Sequence, residues 1–282
     1  MTSDQHLSVN EHPAAAALGE SAKQADPGGT SPPLLVVEDL HRSFGGVRAV
    51  AGASFTVRAG TITGLIGPNG AGKSTVISLI GGQLRPTSGR VLLQGAEVSG
   101  QRPHQLAERG VIRTFQTANL FARMTVIENL LLGAPAWRGE SVTAALAGKW
   151  SWKAGEERLV RQAREVLARF EMEHTEREYA GNLSGGQKRI VEIMRAVMAR
   201  PQLLLLDEPM AGVNPALAGR IAGHLSELRS EGITLLMVEH ELAVVERICD
   251  PVIVMAQGRV LAEGSMADLR ANREVVDAYL AG

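Results

Sequence analysis

The chain has 282 residues, 45% hydrophobic and 21% charged, with a formal net charge of −1. That balance suits a globular protein with a substantial core, and it gives no bulk electrostatic reason to bind nucleic acid or an anionic membrane. The single cysteine, Cys249, excludes an internal disulfide and suits a reducing compartment, where it is expected to pack as a small apolar residue near a helix end.

Residues 1–33 lack a basic n-region and a sustained apolar run, so they do not read as a secretory signal; their alanine, serine, glycine and proline content predicts a disordered tail. No later stretch approaches the roughly 18 apolar residues of a membrane helix, so a cytoplasmic chain is expected, with any membrane part supplied by another polypeptide. Residues 34–44 and 53–60 read as strands joined through Gly45–Gly46. Residues 61–67 read as a buried strand, followed by a helix from Lys73, and 89–98 as a strand pair turning at Gly95. From about Gln116 to Asn182 the pattern becomes helical, with Leu159, Ala163, Val166, Leu167 and Phe170 on one face. The Gly/Ala-rich stretch around Trp137–Trp152 is expected to be a loose insertion. Apolar runs at 203–206 and 233–238 then alternate with helices, as in parallel strands covered on both faces. A last strand pair turns at Gln257–Gly258 and leads into a C-terminal helix. The expectation is an α/β domain with a parallel sheet core, an antiparallel β part and a helical subdomain inserted at about 117–182.

The chemistry concentrates in a few short stretches. Residues 67–75, GPNGAGKST, fit G-x-x-x-x-G-K-[ST] directly after a buried strand. Gly67, Pro68, Asn69, Gly70, Ala71, Gly72, Lys73, Ser74 and Thr75 are therefore candidates to wrap a phosphate chain with backbone N–H groups and pass it to a helix N-terminus. Lys73 would reach the β- and γ-phosphates, and Ser74 would ligate Mg²⁺. The strand at 203–206 ends in two carboxylates, Asp207 for Mg²⁺ and Glu208 to polarise an attacking water. Ser184, Gly185, Gly186 and Gln187 form a second anion cradle at a helix start. Two phosphate-binding segments with one phosphate loop point to a head-to-tail dimer, each cradle closing over the other subunit's nucleotide.

In order, GPNGAGKST, Gln116 in TFQTANLF, LSGGQ, LLLLDEP and His240 in MVEHEL resemble the ATP-binding subunit of an ABC transporter, a P-loop NTPase, from about Leu34 to the C-terminus. The resemblance implies that Phe44 stacks on adenine. It implies that Gln116 ligates Mg²⁺, senses the attacking water and relays that state to a membrane subunit. His240 would hydrogen-bond the γ-phosphate and orient Glu208. Most such ATPases carry an aspartate where this chain has Asn214, which keeps the hydrogen-bonding shape and loses the charge. Asparagine there, RTFQTANLFARMTVIENLLLGA and the ending ANREVVDAYLAG are similar to the importers of branched-chain amino acids, related amides and urea. That subgroup implies an ATPase at the inner face of the cell membrane, using ATP and Mg²⁺. It would pair with a second ATPase, identical or paralogous, and with transmembrane permease subunits, indirectly serve an extracytoplasmic solute-binding protein, and bind no nucleic acid. Alternatives are the ATPase of a lipid or lipopolysaccharide exporter and a soluble ABC ATPase of translation or DNA repair, though the chain has neither the fused second domain nor the coiled-coil insertion usual there.

Overall fold

The computed structural model describes residues 32–114, 120–135 and 149–280. The expected tail at 1–33 falls outside these residues up to position 31; Gln116 and residues 136–148 of the expected insertion also lie outside them.

The long apolar runs form a six-stranded sheet in the order β10-β9-β3-β8-β7-β6. Its members are β3 (Ile62–Ile66), β6 (Val111–Arg113), β7 (Leu203–Asp207), β8 (Thr234–Val238), β9 (Val252–Ala256) and β10 (Arg259–Gly264). All pair in parallel except β10, which returns antiparallel along β9. The alternation of a strand sends Leu204 and Leu206 to one face and Leu203 and Leu205 to the other, and both faces are covered. All four leucines are fully buried, each contributing roughly 1.5–3 kcal/mol relative to exposure.

One face is covered by α1 (Lys73–Ile80) and a four-stranded antiparallel sheet in the order β2-β1-β4-β5. In that sheet β1 (Pro33–Phe44) and β2 (Val47–Arg58) are joined at Gly45–Gly46, and β4 (Ser88–Leu93) and β5 (Ala96–Glu97) turn at Gly95. The short α2 (Pro103–Glu108) and the three-residue β6 are elements that periodicity could not reveal, being too short to express a period.

The other face packs on α5 (Gly185–Met198), α6 (Pro215–Ser230) and α7 (Leu242–Ile248). Leu217, Ile221, Leu225 and Leu228 form the buried stripe of α6 at helical spacing. Cys249 is buried at the end of α7, as expected, and burial pushes its thiol up to about 12. Two further helices, α8 (Met266–Ala271) and α9 (Arg273–Leu280), follow β10. Among the described residues no helix is long and apolar enough to cross a membrane.

The inserted region contains α3 (Val126–Leu131) and α4 (Lys149–Arg169), packed against α5. The latter begins inside the stretch expected to be loose. It buries Ala163, Val166 and Leu167, with Leu159 only partly covered. Phe170 then sets its ring 4.5 Å from the His224 imidazole and joins this region to α6. Asn129 of α3 is fully buried. Its Oδ1 accepts the Phe121 N–H at 2.9 Å, and its Nδ2 donates to the carbonyls of Phe121 at 3.2 Å and Thr125 at 2.9 Å. This amide shapes the chain just after the Gln116 segment. Asn129→Ala removes the acceptor of the Phe121 N–H, while the carbonyls of Phe121 and Thr125 keep the N–H groups of Met124 and residue 129, and it is expected to cost about 1–3 kcal/mol in urea unfolding; an unchanged midpoint would show that the segment holds its shape without the amide.

Candidate active site

Because β3, β8 and β7 are adjacent and parallel, their carboxyl ends open on one edge, where open α/β sheets place their ligands. The phosphate loop leaves β3, His240 lies two residues beyond β8, and Asp207 and Glu208 stand at the end of β7.

The loop's glycines are required by contact. Gly67 has φ 147°, and a Cβ there would lie 2.1 Å from the Met255 carbonyl; Gly72 has φ 99°, and its Cβ would lie 2.4 Å from the Ala49 carbonyl. The β9–β10 turn backs the loop: Gly258 N–H donates to the Ala71 carbonyl at 3.0 Å, and its own carbonyl accepts from Ala51 N–H at 2.8 Å. The Gln257–Gly258 turn is therefore part of the site's wall. Asn69 and Gly70 at the loop tip are exposed, as is Ser74, while Pro68 and Thr75 are half-buried.

Lys73 is buried, and its Nζ donates to the carbonyls of Gly67 at 2.7 Å and Pro68 at 2.9 Å. Burial lowers its pKa, while the charges of Glu208 and Asp207 push it back up. Ser74 Oγ lies 3.5 Å from Asp207 Oδ1. Glu208 has the left-handed φ of 51°, a sharp turn directly after the strand. Its Oε1 meets His240 Nε2 at 2.8 Å. One edge thus presents a cation, a hydroxyl beside a carboxylate, and a second carboxylate gripped by an imidazole.

Two other groups expected at the nucleotide, the Ser184 cap and Phe44, are exposed. The hydrogen bonds of Ser184 and Gln187 stay within their own helix cap: Ser184 Oγ accepts from Gln187 N–H at 3.3 Å, and Gln187 Oε1 accepts from Ser184 N–H at 2.9 Å. Gly185 is exposed, and Gly186 packs so closely that a Cβ would lie 2.1 Å from Leu217 Cδ2. Phe44, at the end of β1, is 44% exposed and so is not a core residue; the Arg42 guanidinium lies 4.8 Å from its ring centroid.

A family model described as "ABC transporter" matches residues 50–211, from β2 through the carboxylate pair. The chain belongs to the ABC transporter family. Within it the chain is an ATP-binding cassette, an ATPase. It is 38% identical over 251 residues to the high-affinity branched-chain amino acid transport ATP-binding protein BraF of Pseudomonas aeruginosa, covering 89% of this chain and 98% of that protein. Its fold is similar to the ADP conformation of MJ1267, an ATP-binding cassette of an ABC transporter (TM-score 0.78, 38% identity, 89% of this chain and 100% of that one). It is also similar to the dimeric structure of MJ0796, a bacterial ABC transporter cassette (TM-score 0.70, 27% identity, 82% of this chain and 98% of that one).

This ABC ATPase holds its site with residues that the motifs did not single out. Glu239, buried between β8 and His240, accepts the N–H of Met210 at 2.8 Å and of His240 at 3.1 Å, tying the histidine to the chain that follows Glu208. Burial and the nearby Glu208 charge raise its pKa against these hydrogen bonds. Arg189, buried in α5, pairs with Glu192 at 2.7 Å and donates to the Glu208 carbonyl at 2.7 Å, so the helix of the Ser184 cradle holds the backbone behind Glu208. Tyr279 of α9 shares a hydrogen bond with the Gly67 backbone, while burial pushes its phenol up to about 12. A buried arginine inside an amphipathic helix was the available signal for Arg189; Tyr279 carried none.

Asn214 has a local role as well. Its Oδ1 accepts the Leu217 N–H at 2.9 Å and caps α6, with Pro215 at the first helical position. Aspartate caps equally well, so Asn214→Asp is expected to leave stability within a few tenths of a kcal/mol, whereas Asn214→Ala costs about 1 kcal/mol. Equal urea midpoints for Asn214→Ala and the parent chain would remove the capping role.

Proposed function

We propose that this chain is the ATP-hydrolysing subunit of an importer for branched-chain amino acids or related small nitrogen compounds. The hydrolytic part rests on one observation: the contact between Glu208 and His240 on the edge that also carries Lys73 and Asp207. The transport part is supported by the likeness to BraF along nearly its whole length.

Phe44 stacks on adenine, and residues 67–75 wrap the phosphates. Lys73 releases its loop carbonyls to reach the β- and γ-phosphates. The donor set fits Mg²⁺: a hydroxyl and a carboxylate oxygen 3.5 Å apart are hard ligands. Among the described residues no group of three or more His, Cys, Asp or Glu side chains could form a protein cage. This suits an ion that takes most of its ligands from phosphates and water. Ser74 and Asp207, with Gln116, would hold the metal, which when bound screens the phosphate charge and stabilises the leaving group. Glu208 accepts a proton from water as its oxygen bonds to the γ-phosphorus and the β–γ bridge breaks, giving ADP and phosphate. His240 Nε2, which meets Glu208 here, turns to donate to the γ-phosphate when nucleotide is bound, leaving the Glu208 carboxylate to the water.

The Ser184–Gln187 cap, exposed at the start of α5, closes over the nucleotide of a second, identical or paralogous ATPase in a head-to-tail dimer. A cleft of about 280 Å³ between β6, α3 and α5, bordered by exposed Phe121 and Leu132, receives a permease segment. The protein works at the inner face of a membrane, and among its described residues no helix is long and apolar enough to cross it.

Glu208→Gln is expected to lower turnover by about 10²–10⁴-fold with ATP affinity essentially unchanged, while Lys73→Ala loses the affinity itself. Turnover near the parent value in Glu208→Gln would remove the residue as base. The Glu208→Gln chain with ATP, isolated from its native membranes in mild detergent, is expected to bring two permease subunits with it. Recovery with ribosomes or DNA instead would keep the ATPase and overturn the transporter.

A further inference from the structure

Among the described residues, the ion-pair partner of the Asp207 carboxylate is Arg113, the last residue of β6. The pair lies out of water: the Asp207 side chain is 2% exposed and that of Arg113 11%. Arg113 Nη2 donates to Asp207 Oδ2 at 2.9 Å. Its Nη1 spans Ser78 Oγ of α1 and Gln83 Oε1 just after that helix, both at 2.9 Å. The other carboxylate oxygen, Oδ1, faces Ser74 Oγ. The two oxygens are thus divided, one committed to the guanidinium and one turned toward the phosphate-loop helix. Arg113 also stands three residues before Gln116 in the chain.

We propose that Arg113 is a positioning residue of the metal site, the resident counter-charge that orients Asp207 and makes metal capture depend on nucleotide phosphates. The inference rests on the reading that Ser74 and Asp207 hold Mg²⁺. A buried carboxylate without a partner would repel a metal-free phosphate chain and attract a divalent cation with its full charge. Paired with Arg113 it is nearly neutral as a unit. Nucleotide can then enter before its metal is seated, and a cation alone finds little charge to hold it. A planar guanidinium suits this place because its fork reaches the carboxylate, the serine and the glutamine together.

The test is the affinity for ATPγS, a slowly hydrolysed analogue, measured with Mg²⁺ and with EDTA. Arg113→Met is expected to weaken metal-free binding by about tenfold or more, while binding with Mg²⁺ stays within about threefold, so that the metal dependence grows. Arg113→Lys, which keeps the charge, restores most of the metal-free affinity. Arg113→Gln, neutral but still a donor, gives the same test if the methionine variant fails to fold. A merely structural arginine predicts equal losses in both conditions, and equal losses or no loss in either overturn the proposal. Asp207→Asn separates the two layers. If it keeps the full metal dependence, Asp207 is not the metal's carboxylate. If it loses that dependence while Arg113→Met leaves the ratio unchanged, only the role of Arg113 fails.

Discussion

Lys73 is held at the mouth of β3 by two carbonyls of its own loop, at 2.7 and 2.9 Å, and faces the charges of Asp207 and Glu208. A buried ammonium needs such partners, because taking it out of water favours the neutral amine. The loop must curl tightly to bring its own carbonyls back to the lysine. That curl forces Gly67 and Gly72 into left-handed backbone against Met255 and Ala49. Those two contacts belong to β9 and β2, so the lysine fixes how both sheets meet the loop. The parallel order β3-β8-β7 then sets the carboxylates and His240 on the same side.

The site is held from behind as much as from within. Arg189 grips the backbone at Glu208, Glu239 joins His240 to Met210, and Arg113 joins Asp207 to α1. Each of the two carboxylates is therefore tied to a different element: α5 with its exposed Ser184 cap for Glu208, and β6 for Asp207. If the proposed function holds, a change in phosphate contacts at this edge would act on backbone that is already linked to the proposed partner surfaces. Such discrete, packed connections are how a small displacement at a ligand becomes a larger one elsewhere.

Much of this was legible in the chain itself. Four consecutive leucines at 203–206 announced a strand buried on both faces, and the structure puts alternate leucines into two separate cores. The loop after β3, the carboxylates at the end of β7 and the helix start at Ser184 were readable because their spacing is dictated by local backbone geometry. Arg113 and Glu239 were not, since their partners Asp207 and Met210 lie 94 and 29 residues away and no local pattern encodes such contacts. The three-residue β6 was missed for the same reason: its place is set by pairing with Leu203–Leu205. Asn214, which read as a departure from the family, serves as a helix cap that asparagine and aspartate fill equally.

The most direct test is an experimental structure of the Glu208→Gln chain with ATP and Mg²⁺. The γ-phosphate is expected within hydrogen-bonding distance of both Lys73 Nζ and His240 Nε2, with the metal on Ser74 Oγ. A nucleotide whose γ-phosphate lies out of reach of His240, or whose metal sits away from Ser74, would contradict it.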